Sequence, residues 1–118
     1  MILVDTSVWV DHLRGTEKGL VQLLVDGEVL IHLLVIEELA CVSLARRDEF
    51  LELLDALPLA PFAGHYEVID LIANEQLFAT GLGAVDAHLI AAARLAGVLL
   101  WSKDKKLSHA ADRIGIGR

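Results

Sequence analysis

The stretch MILVDTSVW (residues 1–9) runs through four apolar residues and then turns abruptly to Asp5, Thr6 and Ser7. An unbroken apolar run this short reads as a strand buried on both faces, as strands of parallel sheets are. Residues 6–14 read as a helix that Gly15 ends. The same alternation continues along the chain. Residues 29–31 and 98–101 predict further buried strands. Residues 57–60 predict a weak one that Pro58 confines to an edge, and residues 114–116 a short last one. Helical patterns cover 16–26, 35–47, 48–56, 64–79, 85–96 and 104–112. Strands separated by helices need crossover connections, which predicts an α/β fold: a three-layer α/β/α sandwich around a central, mostly parallel sheet. Such sheets bind ligands beyond the carboxyl ends of their strands. Asp5 stands at that end.

A length of 118 residues predicts one domain, residues 1–118, with a single core. Hydrophobic residues make up 55% and prolines number two, which excludes a disordered chain. No uncharged apolar run is long enough to span a bilayer, and an acid already at position 5 argues against a secretory leader. A cytoplasmic protein with no membrane association is the expectation. The one cysteine, Cys41, excludes an internal disulfide and a cysteine-rich zinc site; it is expected to pack as a small apolar group. The net charge of −7 speaks against binding nucleic acid by bulk charge. It suits carboxylates gathered around cations, a basic partner, or an ordinary solubilising surface.

Asp104 repeats the arrangement of Asp5: VLLW (98–101) leads through Ser102 and Lys103 into it. Asp86 follows the loop Thr80-Gly81-Leu82-Gly83 and opens VDAHLIAAARLAG (85–97). Glu38 falls soon after the second strand, in VIEELACVSLA (35–45). Taken singly, each acid has an ordinary reading. Asp5 and Asp104 suit helix caps, Asp86 a helix dipole, and Glu38 or its neighbour Glu37 a solvated face. Taken together, all four fall on one side of one sheet. Carboxylates sharing a cleft repel, and their pKa values rise unless cations neutralise them. Hard oxygen donors suit Mg²⁺ or Mn²⁺, and such ions activate water against phosphorus. No GxxxxGK[ST] loop or cysteine nucleophile offers a rival chemistry. Metal-assisted phosphodiester hydrolysis is the chemistry that fits.

The segments VDTSVWVDHLR, EELA, VDAHLIAAARLAG and LLWSKDKKL, in this order, resemble the PIN-domain ribonucleases, specifically the VapC toxins of bacterial toxin–antitoxin pairs. The resemblance covers nearly the whole chain. It implies a Mg²⁺-dependent endoribonuclease, with Mn²⁺ a substitute, in which Asp5, Glu38, Asp86 and Asp104 are the catalytic and metal-binding acids. Asp5 and Asp86 are the first choice for direct metal contact, and Glu38 is preferred to Glu37 because it precedes Leu39. Thr6, Ser7 and Ser102 match the supporting polar positions. The resemblance also implies homodimers, an RNA substrate such as tRNA or rRNA, and a VapB-like antitoxin whose C-terminal tail brings basic or aromatic side chains.

Lys103, Lys105 and Lys106 surround Asp104 and are the candidate RNA contacts, a local positive rim in an acidic chain. Arg46, Arg47 and Arg94 are weaker candidates. Trp9 shares a helical face with Leu13 and reads as a core or interface anchor. None of the five histidines has metal-ligand spacing such as HExxH. A phosphatase with an aspartyl nucleophile wants a second acid where this chain has Ser7. A catalytically silent module that dimerises and docks an antitoxin is the alternative from outside enzymology.

Overall fold

The computed structural model describes all residues 1–118. Three short strands, β1 (Ile2–Val4), β2 (Val29–Leu30) and β3 (Leu99–Trp101), form a parallel sheet in the order β2-β1-β3. Seven helices surround it: α1 (Thr6–Arg14), α2 (Lys18–Val25), α3 (Leu33–Ala40), α4 (Arg47–Asp55), α5 (His65–Asn74), α6 (Ala84–Ala96) and α7 (Lys105–Ile114). This is the expected α/β class.

The order carries the consequence that matters. The chain leaves β1 toward one neighbour, β2, and comes back past it to the other, β3. Right-handed crossovers in opposite directions put their helices on opposite faces of the sheet. The topological switch therefore lies between β1 and β3, the crevice where open α/β sheets bind ligands. Register fixes what meets there: Val4 pairs with Trp101, and the Asp5 amide donates to the Trp101 carbonyl at 2.9 Å. Asp5 thus lies alongside Ser102, with Asp104 two residues on.

Leu3, Val4, Ile31, Leu89, Ile90, Leu100 and Leu107 are completely or almost completely buried and join the sheet to α6 and α7. Four alanines of α6, Ala87, Ala91, Ala92 and Ala93, are buried as well, which lets the helix lie close on the sheet. Trp9 is buried and meets Phe50 edge-to-face, with ring centroids 6.1 Å apart.

Several expected boundaries shift. The helix expected over 35–47 begins at Leu33 and stops at Ala40, and Arg46 takes a left-handed φ of 52° before α4. Cys41, Val42 and Ser43 are weak helix formers and do not carry the helix across. Cys41 is exposed rather than packed. The helix over 64–79 ends at Asn74, and Gln76 and Ala79 adopt positive φ. The edge strand at 57–60 shrinks to one bridge, Ile31 to Leu59, with Ile31 donating to the Pro58 carbonyl at 2.9 Å. Ile114 belongs to α7, and it is Gly117 that bridges Leu100. Gly117 presses against Asp112, where no side chain fits.

His32 is fully buried and caps α3, its Nδ1 accepting from the Leu34 amide at 3.0 Å. Burial, and then the nearby His88, lower its pKa to about 4. The unfolded chain protonates His32 near pH 6.5 and the folded one only near pH 4. The stability held by neutral His32 is therefore present above pH 6.5 and lost as pH falls toward 4. The expected loss is roughly 3 kcal/mol. Urea midpoints of wild type and His32→Asn, which keeps a capping oxygen, check it: the substitution flattens the pH slope in that window.

Candidate active site

Asp5 ends β1 and starts α1, and it is 6% exposed. Its Oδ2 accepts from Ser7 Oγ at 2.6 Å and from Ser102 Oγ at 2.8 Å, besides the capping amide of Ser7 at 3.3 Å. Each serine hydroxyl in turn accepts a backbone amide from the loop after β3. Lys103 N donates to Ser7 Oγ at 2.9 Å and Asp104 N to Ser102 Oγ at 3.0 Å. Two serines thus tie the Asp104 loop to one oxygen of Asp5. The pair thereby holds a buried carboxylate in one orientation.

Asp104 caps α7, its Oδ1 accepting from Lys106 N at 2.9 Å and Leu107 N at 3.2 Å. Asp86 lies in the first turn of α6 and turns back, so that its Oδ2 accepts from Gly83 N at 3.1 Å. The Asp86 carboxyl titrates above the usual range. Burial is the main cause, the Gly83 amide opposes it, and the charges of Asp5 and Asp104 add to it. Repulsion of this kind reports that the three aspartates share one electrostatic neighbourhood. Glu38 reaches the same end of the sheet from α3, where its Oε1 accepts from Thr6 Oγ1 at 2.6 Å. That bond turns Glu38, rather than Glu37, toward the start of α1.

The four acids share a pattern. One oxygen of each is held by the chain, and Asp5 Oδ1, Glu38 Oε2, Asp86 Oδ1 and Asp104 Oδ2 have no partner within it. Capping accounts for one oxygen of each aspartate and leaves the other available. No three His, Cys, Asp or Glu side chains converge tightly enough to cage an ion as they stand. In kind, though, the free oxygens fit a hard divalent cation, which would relieve the repulsion from Asp5 and Asp104 that adds to the effect of burial on Asp86.

Lys103 does not face these acids. Its ammonium pairs with Asp11 at 2.8 Å and with Glu17, and those bonds lower both carboxyl pKa values and raise that of the lysine. Arg94 pairs with Glu75 at 2.9 Å. Lys105 and Lys106 stay free and line a groove along α7 together with Thr80, His109 and Arg113. The sequence motifs do not single out His109 or Arg113. Their spacing from Lys105 and Lys106, three to eight residues along one helix, is the available signal.

A sheet with its switch point between β1 and β3, and acids at both strand ends, defines the PIN-domain class. The PIN domain family model matches residues 2–113, and the chain belongs to that family. Within it the chain is of the VapC type: it is 48% identical over 117 residues to Ribonuclease VapC32 of Mycobacterium tuberculosis, in each of two strains, spanning 98% of this chain and 94% of the relative. Solved structures share the fold at lower identity. PAE2754 from Pyrobaculum aerophilum superposes with a TM-score of 0.65 at 20% identity, covering 92% of this chain and 78% of that one. FitAB bound to an IR36 DNA fragment gives 0.66 at 18%, covering 95% and 91%. FitAcB from Neisseria gonorrhoeae gives 0.62 at 21%, covering 95% and 94%. No helix is long and apolar enough to cross a membrane.

Proposed function

We propose that this chain is the toxin of a toxin–antitoxin pair and a metal-dependent endoribonuclease, with Asp5, Glu38, Asp86 and Asp104 holding the metal. The observation that supports this most is that each of the four acids keeps one carboxylate oxygen free, three of them on aspartates coupled through their charges and the fourth, Glu38, tied to the start of α1 by Thr6. VapC kinship supplies the substrate class. Mg²⁺, with Mn²⁺ as substitute, is the ion proposed.

When bound, the metal supplies a water of lowered pKa and positive charge against the scissile phosphate. The chain supplies the rest. Ser7 and Ser102 fix Asp5 by its Oδ2, so that Oδ1 points free. Thr6 does the same for Glu38. Asp86 and Asp104 are locked to the starts of α6 and α7, so the donor set moves only if helices move. Such fixation from a supporting layer is what keeps ligand groups in productive geometry. For regulation, we propose a VapB-like antitoxin whose basic or aromatic C-terminal tail enters this anionic cleft, and a homodimeric toxin. The RNA proposed is tRNA or rRNA.

The test is cleavage of structured RNA by the purified chain with Mg²⁺, with Mn²⁺ and with EDTA. Cutting with either metal and none with EDTA is expected. Equal cutting with EDTA removes the metal from the mechanism, and no cutting under any condition favours a silent docking module.

A further inference from the structure

Building on the ribonuclease reading, we infer that the outward face of α7 is a track for the sugar–phosphate backbone of single-stranded RNA, leading away from the acidic cleft. Of ten lysines and arginines, Arg46, Arg47, Arg94 and Lys103 lie in ion pairs. Lys105, Lys106 and Arg113 pair with no carboxylate, and all three line one open groove of about 450 Å³ with Thr80, His109 and Ala110. Arg113 donates to the Glu75 backbone carbonyl at 2.8 Å, which orients the guanidinium without cancelling its charge. Positions 105, 109 and 113, and 106, 109 and 113, recur at helical spacing and so share a face.

The groove is joined to the cleft at one end. Lys106 lies over Gly81, where an added Cβ would stand 2.8 Å from its Nζ and the backbone φ is +83°. Glycine at 81 therefore lets the ammonium rest on the loop that leads through Gly83 to Asp86. At the same end, α7 starts from Asp104. From Lys105 to Arg113 the helix rises about 12 Å, room for more than one phosphate. The lining is donors, with Ala110 the one apolar residue and no aromatic ring besides the imidazole of His109. That composition grips phosphates and offers bases little to stack on. In a chain of charge −7, a confined cationic strip beside the acids guides an anionic strand to them without making the whole surface sticky.

The probe is a fluorescein-labelled, mixed-sequence single-stranded RNA in Mg²⁺ buffer. Its binding to the full chain is followed by anisotropy over a range of salt, in an Asp86→Asn background that keeps the RNA intact. The triple variant Lys105→Gln, Lys106→Gln, Arg113→Gln should bind at least about tenfold more weakly. Its log–log salt slope should fall by about 2, given the loss per phosphate contact on a single strand. The double variant at Lys105 and Lys106 spares the Arg113 bond to Glu75 and should show most of the effect, and Lys→Arg at both sites should restore binding. Arg14→Gln with Lys18→Gln, cations outside any ion pair or the groove, should change nothing. Unchanged affinity and slope in the triple variant overturn the proposal. So does a poly-glutamate peptide that competes as well as RNA, which would assign the groove to an acidic polypeptide. Absence of RNA cutting by the unsubstituted chain is a separate result: it overturns the ribonuclease reading and this proposal with it.

Discussion

Asp5→Asn and Asp86→Asn each lower RNA cleavage by on the order of 10²–10³-fold, the scale of losing one well-placed electrostatic group in a catalytic site, while both proteins stay folded. Asparagine keeps an oxygen where Asp5 accepts from Ser7 and Ser102. The same holds where Asp86 accepts from Gly83. What changes is the second oxygen, which becomes an amide nitrogen unable to ligate a cation. Asp86→Asn has a further signature. Its carboxyl titrates above the unfolded value because of burial and then, beyond the opposing Gly83 amide, because of Asp5 and Asp104. The folded state therefore binds the proton more tightly than the unfolded state. Its stabilising share is complete below the unfolded pKa and lost as pH rises through the folded one. A neutral isostere removes that penalty near neutrality. Metal-free Asp86→Asn should melt no lower than wild type, while its cleavage collapses. Single-turnover cleavage and thermal melts in EDTA check the pair. Wild-type rates in both variants would end the four-acid reading.

Leu3→Ala is expected to cost roughly 3–5 kcal/mol, the scale of an unrelaxed cavity in a close-packed core. Leu3 is wholly buried in the central strand, with Leu30 and Leu100 as its neighbours on either side. Nothing can collapse into its place without moving β1, and β1 aims Asp5. Leu99→Ala is the control: Leu99 is on β3 but 40% exposed, and its loss should stay within about 1 kcal/mol. Urea unfolding of the two variants checks the contrast. A similar cost at both positions would mean that the strand interior is not where the fold holds its stability.

Much of the architecture is legible from apolar runs. Strands at residues 1–4, 29–31 and 98–101 announce themselves because a sheet covered on both faces admits nothing polar along them. The pairing of Val4 with Trp101 then brings Asp5 beside Ser102. Helix ends are less legible. The stop after Ala40 depends on a run of weak helix formers, and the stop after Asn74 on positive φ at Gln76 and Ala79. Neither leaves a Gly or Pro to read. Within the site, the acids are visible as strand-end and helix-start residues, but their partners are not. That Ser7 and Ser102 bond the same oxygen, or that Lys103 leaves the cleft for Asp11 and Glu17, depends on contacts between residues as much as 97 positions apart. His32 hides for a related reason, since its capping role exists only once burial keeps it neutral.

The double duty of Asp5, Asp86 and Asp104 has a practical corollary for mutagenesis. Because one oxygen of each is a structural fastener, truncation to alanine would unpick a helix start, at about 0.5–2 kcal/mol apiece, in the same stroke that deletes a charge. An alanine scan would blur architecture with chemistry here, and only shape-preserving amides keep the two apart.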